Sequence, residues 1–307
     1  MPRREPEEIV LEIEEWLRDP FNESFIFERP HSKLNEISPS REPHIGEVLE
    51  SLTSLSRWYA AKGIVEVSAG KSNDGLCDSF WCDSFYNAIM WHKFQEAQNQ
   101  KGAVFRVGFR FKDRNESKPR ISFNDQGLLL SRCFSLGLID QGEVIGRRSL
   151  IGLERGCFYG TNGNKLTPFV LSVFAKWKDI PFSVEKDSLS LPEPYKELLQ
   201  KLTQSPEDIK PAIIKACDFH WSRSKENTDQ ETFEFADPVY AVYPVEILMV
   251  FRIRELLGLS NPDVPHPLLS SGLGKLPNSA CSMNVTIESI RRRIEIAFPG
   301  LSVNEYV

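Results

Sequence analysis

Long apolar runs are missing from this chain. Stretches such as Ile247 to Phe251 are the longest it has, far short of the roughly 20 residues a membrane-spanning helix requires. Also missing is the opening of an export signal, since Arg3 and Arg4 are followed by Glu5, Glu7 and Glu8 and not by an apolar segment. Cysteine is scarce, with six in 307 residues, too few for a disulfide scaffold. Together these absences predict a cytoplasmic protein whose cysteines are reduced thiols. An excess of base is missing too: the net charge is −6, which argues against holding a phosphate backbone.

Motifs for chemistry are equally sparse. Cys77 and Cys82 have the spacing of a metal-ligand pair, but no second pair of Cys or His accompanies them. Set among Phe80, Trp81, Phe85 and Tyr86, Cys82 reads as a buried thiol. The glycines of GRRSLIGLERG and YGTNGNK match neither a phosphate loop nor a dinucleotide fingerprint, and read as turns. Cys217, Asp218 and His220 suggest a nucleophile with its base. However, His220 continues the apolar line of Ile209, Ile213 and Ala216, and a reactive thiol needs an exposed, electropositive setting. His266, between Pro265 and Pro267, reads as a rigid turn. No catalytic residue, metal or cofactor is expected.

What the chain does have is apolar and aromatic bulk in helical register. Hydrophobic residues make up 41% and aromatics 11%, with twenty Phe and six Trp, enough for a sizeable core. Ile9, Ile13, Trp16 and Leu17 share one face of a helix over 6–18 that Asp19-Pro20 should stop. The Pro- and Ser-containing 29–43 reads as a link, which makes 1–43 an acidic arm. The single helical domain is then 44–307, with 181–194 as a candidate subdivision. Patterns over 44–68 and 78–98 predict an antiparallel helix pair across the turn at 70–75. Further helices are expected at 125–137, 141–154, 166–178, 192–203, 206–221, 244–257 and 284–297. Only Phe105, Val107, Phe109 and Phe111 alternate with polar residues or Gly, the period of a strand. The expected fold is therefore mainly α, a multi-helix bundle of antiparallel pairs with one small β-hairpin near 103–123. Glu246, Arg252, Arg254 and Glu255 interrupt the nearly all-apolar 244–257. Buried charges must be paired, so they read as structural ion pairs.

Charge is unevenly placed. Residues 1–50 hold thirteen acids against six bases, and 185–237 twelve against seven. Acidic patches suit a basic partner or simply keep a surface solvated.

The order of segments in the C-terminal half carries a resemblance. A helix end, KACDFHWSRS, leads through an acidic loop into FADPVYAVYPVEILMVFRIRELLGLSNPDVPHPLLSSGLGKLP; upstream stand SRWYAAKG and SFYNAIMWHKFQ. Over roughly 45–278 this resembles the helical immunity proteins of bacterial polymorphic-toxin and contact-dependent secretion systems. The resemblance implies a cytoplasmic protein that binds a cognate toxin domain and blocks its active site. Toxins that attack nucleic acids have basic clefts, which an acidic surface can occupy. Charge and expected exposure pick out Glu226, Asp229, Glu231, Glu234 and Asp237 as the contact loop, with Glu12, Glu14 and Glu15 second. Two other readings remain open: an adaptor or chaperone that loads an effector, and an enzyme assembled from distant groups such as Glu246, His220 and Arg254.

Overall fold

The computed structural model describes residues 4–37, 44–99, 120–184, 189–278 and 281–303. Local rules place most of the elements. α1 (Pro6–Arg18) opens on proline and acids, and stops where Asp19 turns extended. Pro20 does not end the helical path, however. It sits at the first turn of α2 (Pro20–Asn22), which runs through a π-helical turn (Glu23–Glu28) into α3 (Arg29–Asn35). The expected link at 29–43 is thus helical up to Asn35, with Pro30 in the first turn of α3, directly behind the π-helical turn. Ile9, Ile13 and Leu34 join the main core, so the described part of the arm packs onto the body.

α4 (Ile45–Ser68) and α5 (Asp74–Asn99) form the expected helix pair. They meet backbone to backbone. A Cβ on Gly63 would lie 2.4 Å from Leu76 N, and one on Gly75 would lie 2.6 Å from Gly63 N. Only glycine permits that approach.

Next come β1 (Ile121–Ser122), α6 (Phe123–Ser135), α7 (Ile139–Glu154), β2 (Phe158–Tyr159) and α8 (Leu166–Trp177). The hairpin expected near 103–123 lies mostly outside the described residues. Its described end, β1, pairs parallel with β2, with Ile121 against Phe158. α9 (Glu193–Gln200), α10 (Pro206–Ser222), α11 (Pro238–Val242) and α12 (Val245–Leu256) follow. As its sequence predicts, α10 is capped by Ser205, whose Oγ accepts from Asp208 N at 3.2 Å. α12 ends before Gly258, which takes φ of +73°.

The prolines of 260–278 allow a short α13 (Pro267–Ser270) and a 3-10 turn at Gly272–Gly274 before α14 (Val285–Ala297). α12 is the central helix, buried nearly all round and packed on α6, α8 and α10. No helix among the described residues is long and apolar enough to cross a membrane.

One expectation about cysteine is corrected. Cys77 on α5 and Cys281 ahead of α14 are bridged, with Cα atoms 5.6 Å apart, while Cys82, Cys133, Cys157 and Cys217 are free and buried. The fold brings together two thiols separated by 204 positions, and sequence spacing carries no sign of that. Beside the bridge, Asn284 Nδ2 donates to both oxygens of Asp78 at 2.8 and 2.7 Å. A thiol titration of the denatured, unreduced protein should count four groups, not six. Cys281→Ser should lower stability by about 2–4 kcal/mol, a difference that disappears in reductant.

Candidate functional site

Helical spacing repeated on several elements builds one concave surface. Residues three or four apart on a helix share a face. α4 presents Thr53, Ser56, Arg57 and Ala60; α5 presents Asp83, Tyr86 and Asn87; α6 presents Asp125, Leu128 and Leu129. β1 contributes Ile121 and Ser122, and Asp237, Val239 and Tyr240 close the far side. The groove between them has a volume of about 420 Å³. A second depression of about 210 Å³ shares Ser122 with it and runs beneath the acidic loop, lined by Tyr159, Asn227, Phe233 and Glu234.

A buried cation organises the groove floor. Arg132 of α6 is only 2% exposed. Its guanidinium bonds to the Asp83 carboxylate, to Tyr240 Oη at 3.0 Å and to Ser79 Oγ at 2.8 Å. Ser79 Oγ in turn lies 3.0 Å from Ser56 Oγ. Burial pulls the Arg132 pKa down, and the neighbouring Tyr240 and Asp83 more than restore it, so it stays charged. The charge of Asp83 is thereby matched from below, whereas Asp125 makes no ion pair among the described residues.

Asp125 is exposed and lines the groove. Burial, then Asp83, push its pKa up to about 6, against a pull downward from Ser122. Burial also raises the Tyr86 and Tyr240 hydroxyls, which therefore remain protonated. A carboxyl whose folded pKa exceeds its unfolded value of 3.8 favours folding below that value, and loses the contribution as pH rises through about 6. Asp125→Asn should accordingly melt above the parent at pH 7.5 and level with it at pH 4, an expectation checked by thermal scans across that range.

A chain of amides fixes which atoms face which way. Ser149 Oγ donates to Ile145 O at 2.6 Å. It therefore accepts from Gln126 Nε2 at 2.8 Å, and Gln126 Oε1 accepts from Asn87 Nδ2 at 2.6 Å. That leaves Asn87 Oδ1 as a buried acceptor without a partner among the described residues, on a groove-lining residue that is 5% exposed.

The sequence-derived loop residues divide in two. Glu226, Asp229 and Glu231 are exposed, and Glu231 pairs with Arg223. Glu234 is buried, with Oε1 accepting from Lys165 N at 2.7 Å and Oε2 from Arg223 Nε at 2.6 Å, so both its oxygens are committed to structure. Asp237 caps α11 through Val239 N at 2.9 Å and lines the groove. Elsewhere, Glu12 pairs with Arg4 and Glu14 with Arg18, while Glu15 is exposed. Close to them in the chain Phe21 and Phe25 stack in the open, their rings 4.2 Å apart.

Groups that invited a catalytic reading lie in a packed interior. Glu246, fully buried, accepts from Tyr195 Oη at 3.1 Å and meets His220 Nδ1 at 2.8 Å, and the Phe235 ring stacks on His220. Burial, then Glu246, raise the Cys217 thiol far above its usual value, the opposite of an activated thiolate. Arg254 is elsewhere, donating to the carbonyls of Leu202, Gln204 and Ser260, and Arg252 pairs with Glu255. His266 is the cap of α13. No group of three or more potential metal ligands forms among the described residues.

Sequence reading missed Asp83, Asn87, Asp125, Arg132 and Tyr240. One signal existed: Arg132 stands inside the apolar run GLLLSRCF, where a cation has to find a partner. Compared with known proteins, the chain matches no protein-family model, no curated protein and no solved structure.

Proposed function

We propose that this protein binds another protein through the groove and the acidic loop beside it, and that it acts as an immunity protein, neutralising a toxin by covering its active site. One observation carries the reading. Asp83 and Tyr86 from α5, Asp125 from α6, and Asp237 and Tyr240 at α11 converge on a groove beside the loop that carries exposed Glu226, Asp229 and Glu231. Carboxylates at the rim steer a basic partner, and tyrosines hold it once seated, because they combine apolar area with few rotatable bonds.

The resemblance over 45–278 supplies the class of partner. The packed setting of His220, Glu246 and Cys217 favours a binder over an enzyme. A toxin that attacks nucleic acid would present the matching positive cleft.

The test is survival. Cells expressing the toxic domain encoded beside this chain should live when the chain is co-expressed, and Glu226→Lys with Asp229→Lys should slow association about tenfold at low salt. Death at an unchanged rate would overturn the reading. A change in effector export with no rescue would assign the chain to the loading adaptors instead.

A further inference from the structure

The charge of the groove is weighted toward carboxylates, with Asp83, Asp125 and Asp237 in its lining. Asp125 presents a carboxylate, Asp83 a second one already paired to Arg132, and the lining residue Asn87 a buried Oδ1 with no partner among the described residues. The amide chain through Gln126 and Ser149 prevents Asn87 from turning over to offer its Nδ2 instead. The walls add the rings of Tyr86 and Tyr240. Among the described residues one cation lines the groove, Arg57, and its guanidinium is drawn aside over the Trp16 ring, 5.3 Å from the centroid. A buried acceptor without a donor is costly. A site rich in acceptors and π faces is completed by a group that carries several N–H donors and a positive charge.

We propose that the groove receives a single arginine side chain of the partner protein, its guanidinium donating to Asp125 and to Asn87 Oδ1. Arginine fits better than lysine for three reasons. Its fork of donors can serve acceptors on α5 and α6 at once, its flat face stacks on tyrosine, and it is the more weakly hydrated of the two cations. A groove of about 420 Å³ has room for the head group and part of its stem. The inference rests on the protein-binding reading above and names the anchor that such a partner would insert.

The probe is N-acetyl-arginine amide, with the citrulline amide as its neutral isostere and the lysine amide as the competing cation. Binding is followed on the isolated protein by NMR titration. The expected result is millimolar binding of the arginine probe, at least about tenfold weaker binding of the other two, and a comparable loss in Asp125→Asn. A circular-dichroism melt checks that this variant folds, and Tyr86→Leu, which leaves the charge in place but removes a ring of the wall, should also weaken the arginine probe. Equal binding of the citrulline or lysine probe, or no binding at all, would overturn the proposal.

The survival assay separates this idea from its parent. If Asp125→Asn loses the arginine probe yet protects cells fully, the chain is still an immunity protein and the groove is not its anchor. If the probe binds as expected and the chain protects no cell, the groove stands and the toxin reading falls.

Discussion

Arg132→Met should destabilise the folded protein by about 3–5 kcal/mol, measured as a fall in the urea midpoint at unchanged slope. The size follows from what the substitution leaves behind. Arg132 satisfies the Asp83 carboxylate, Ser79 Oγ and Tyr240 Oη, and so ties α5 and the residues of α11 to α6. Methionine fills similar space but donates nothing, so Asp83, its side chain 31% exposed, keeps a charge with no counter-ion.

A double-mutant cycle with Asp83→Leu isolates that pairing. If the charge is the cause, the double variant should recover part of the loss, with a coupling of about 1–3 kcal/mol. A pair of independent, additive losses would show that packing is what Arg132 supplies. Because the same residue underlies the groove, the Arg132 variant should also lose the defined groove while retaining its helix content.

A comparable loss is expected at Glu246→Ala, again about 3–5 kcal/mol. Glu246 stands on α12 and holds Tyr195 of α9 and His220 of α10. All three side chains are fully buried. Truncation strips two polar groups of their shared partner and opens a cavity in the middle of the helix packing. Glu246→Gln keeps the volume and one acceptor, so it should cost roughly 1–2 kcal/mol. Both variants should leave the surface groove, and therefore protection by whatever protein remains folded, unchanged. A variant of normal stability that failed to protect would move the functional centre to this buried cluster, contrary to the reading above.

The helices were legible because their signals are local. Ser205-Pro206 at the head of α10, Gly258 behind α12 and the apolar faces of α1 and α14 each act within a turn or two of themselves. Pro30 shows the limit of such signals. Read among serines, charged residues and prolines it marks a link, but it lies within a helical path that runs from Pro20 to Asn35 and docks Leu34 into the core. The parallel pairing of β1 with β2 joins Ile121 to Phe158, a contact with no counterpart in local pattern.

The candidate site was less legible than the fold. Exposed charge in a polar loop is conspicuous in sequence, so Glu226, Asp229 and Glu231 stood out, and Glu234 stood out with them. Yet Glu234 points inward, to Lys165 N and Arg223. Which acid faces outward depends on a neighbour 69 positions away, and composition carries no such information.

By itself the sequence determined a mainly helical chain, the placement of most of its helices, the burial of α12 and the uneven distribution of acid, because each is set by residue type and spacing along the backbone. Tertiary structure alone decided that Cys77 meets Cys281, that Arg132 matches Asp83 from beneath, and that Asp125 and Asn87 line one groove. Those relations are distances between segments far apart in the chain, and they exist only once burial of the shared core has brought the segments together.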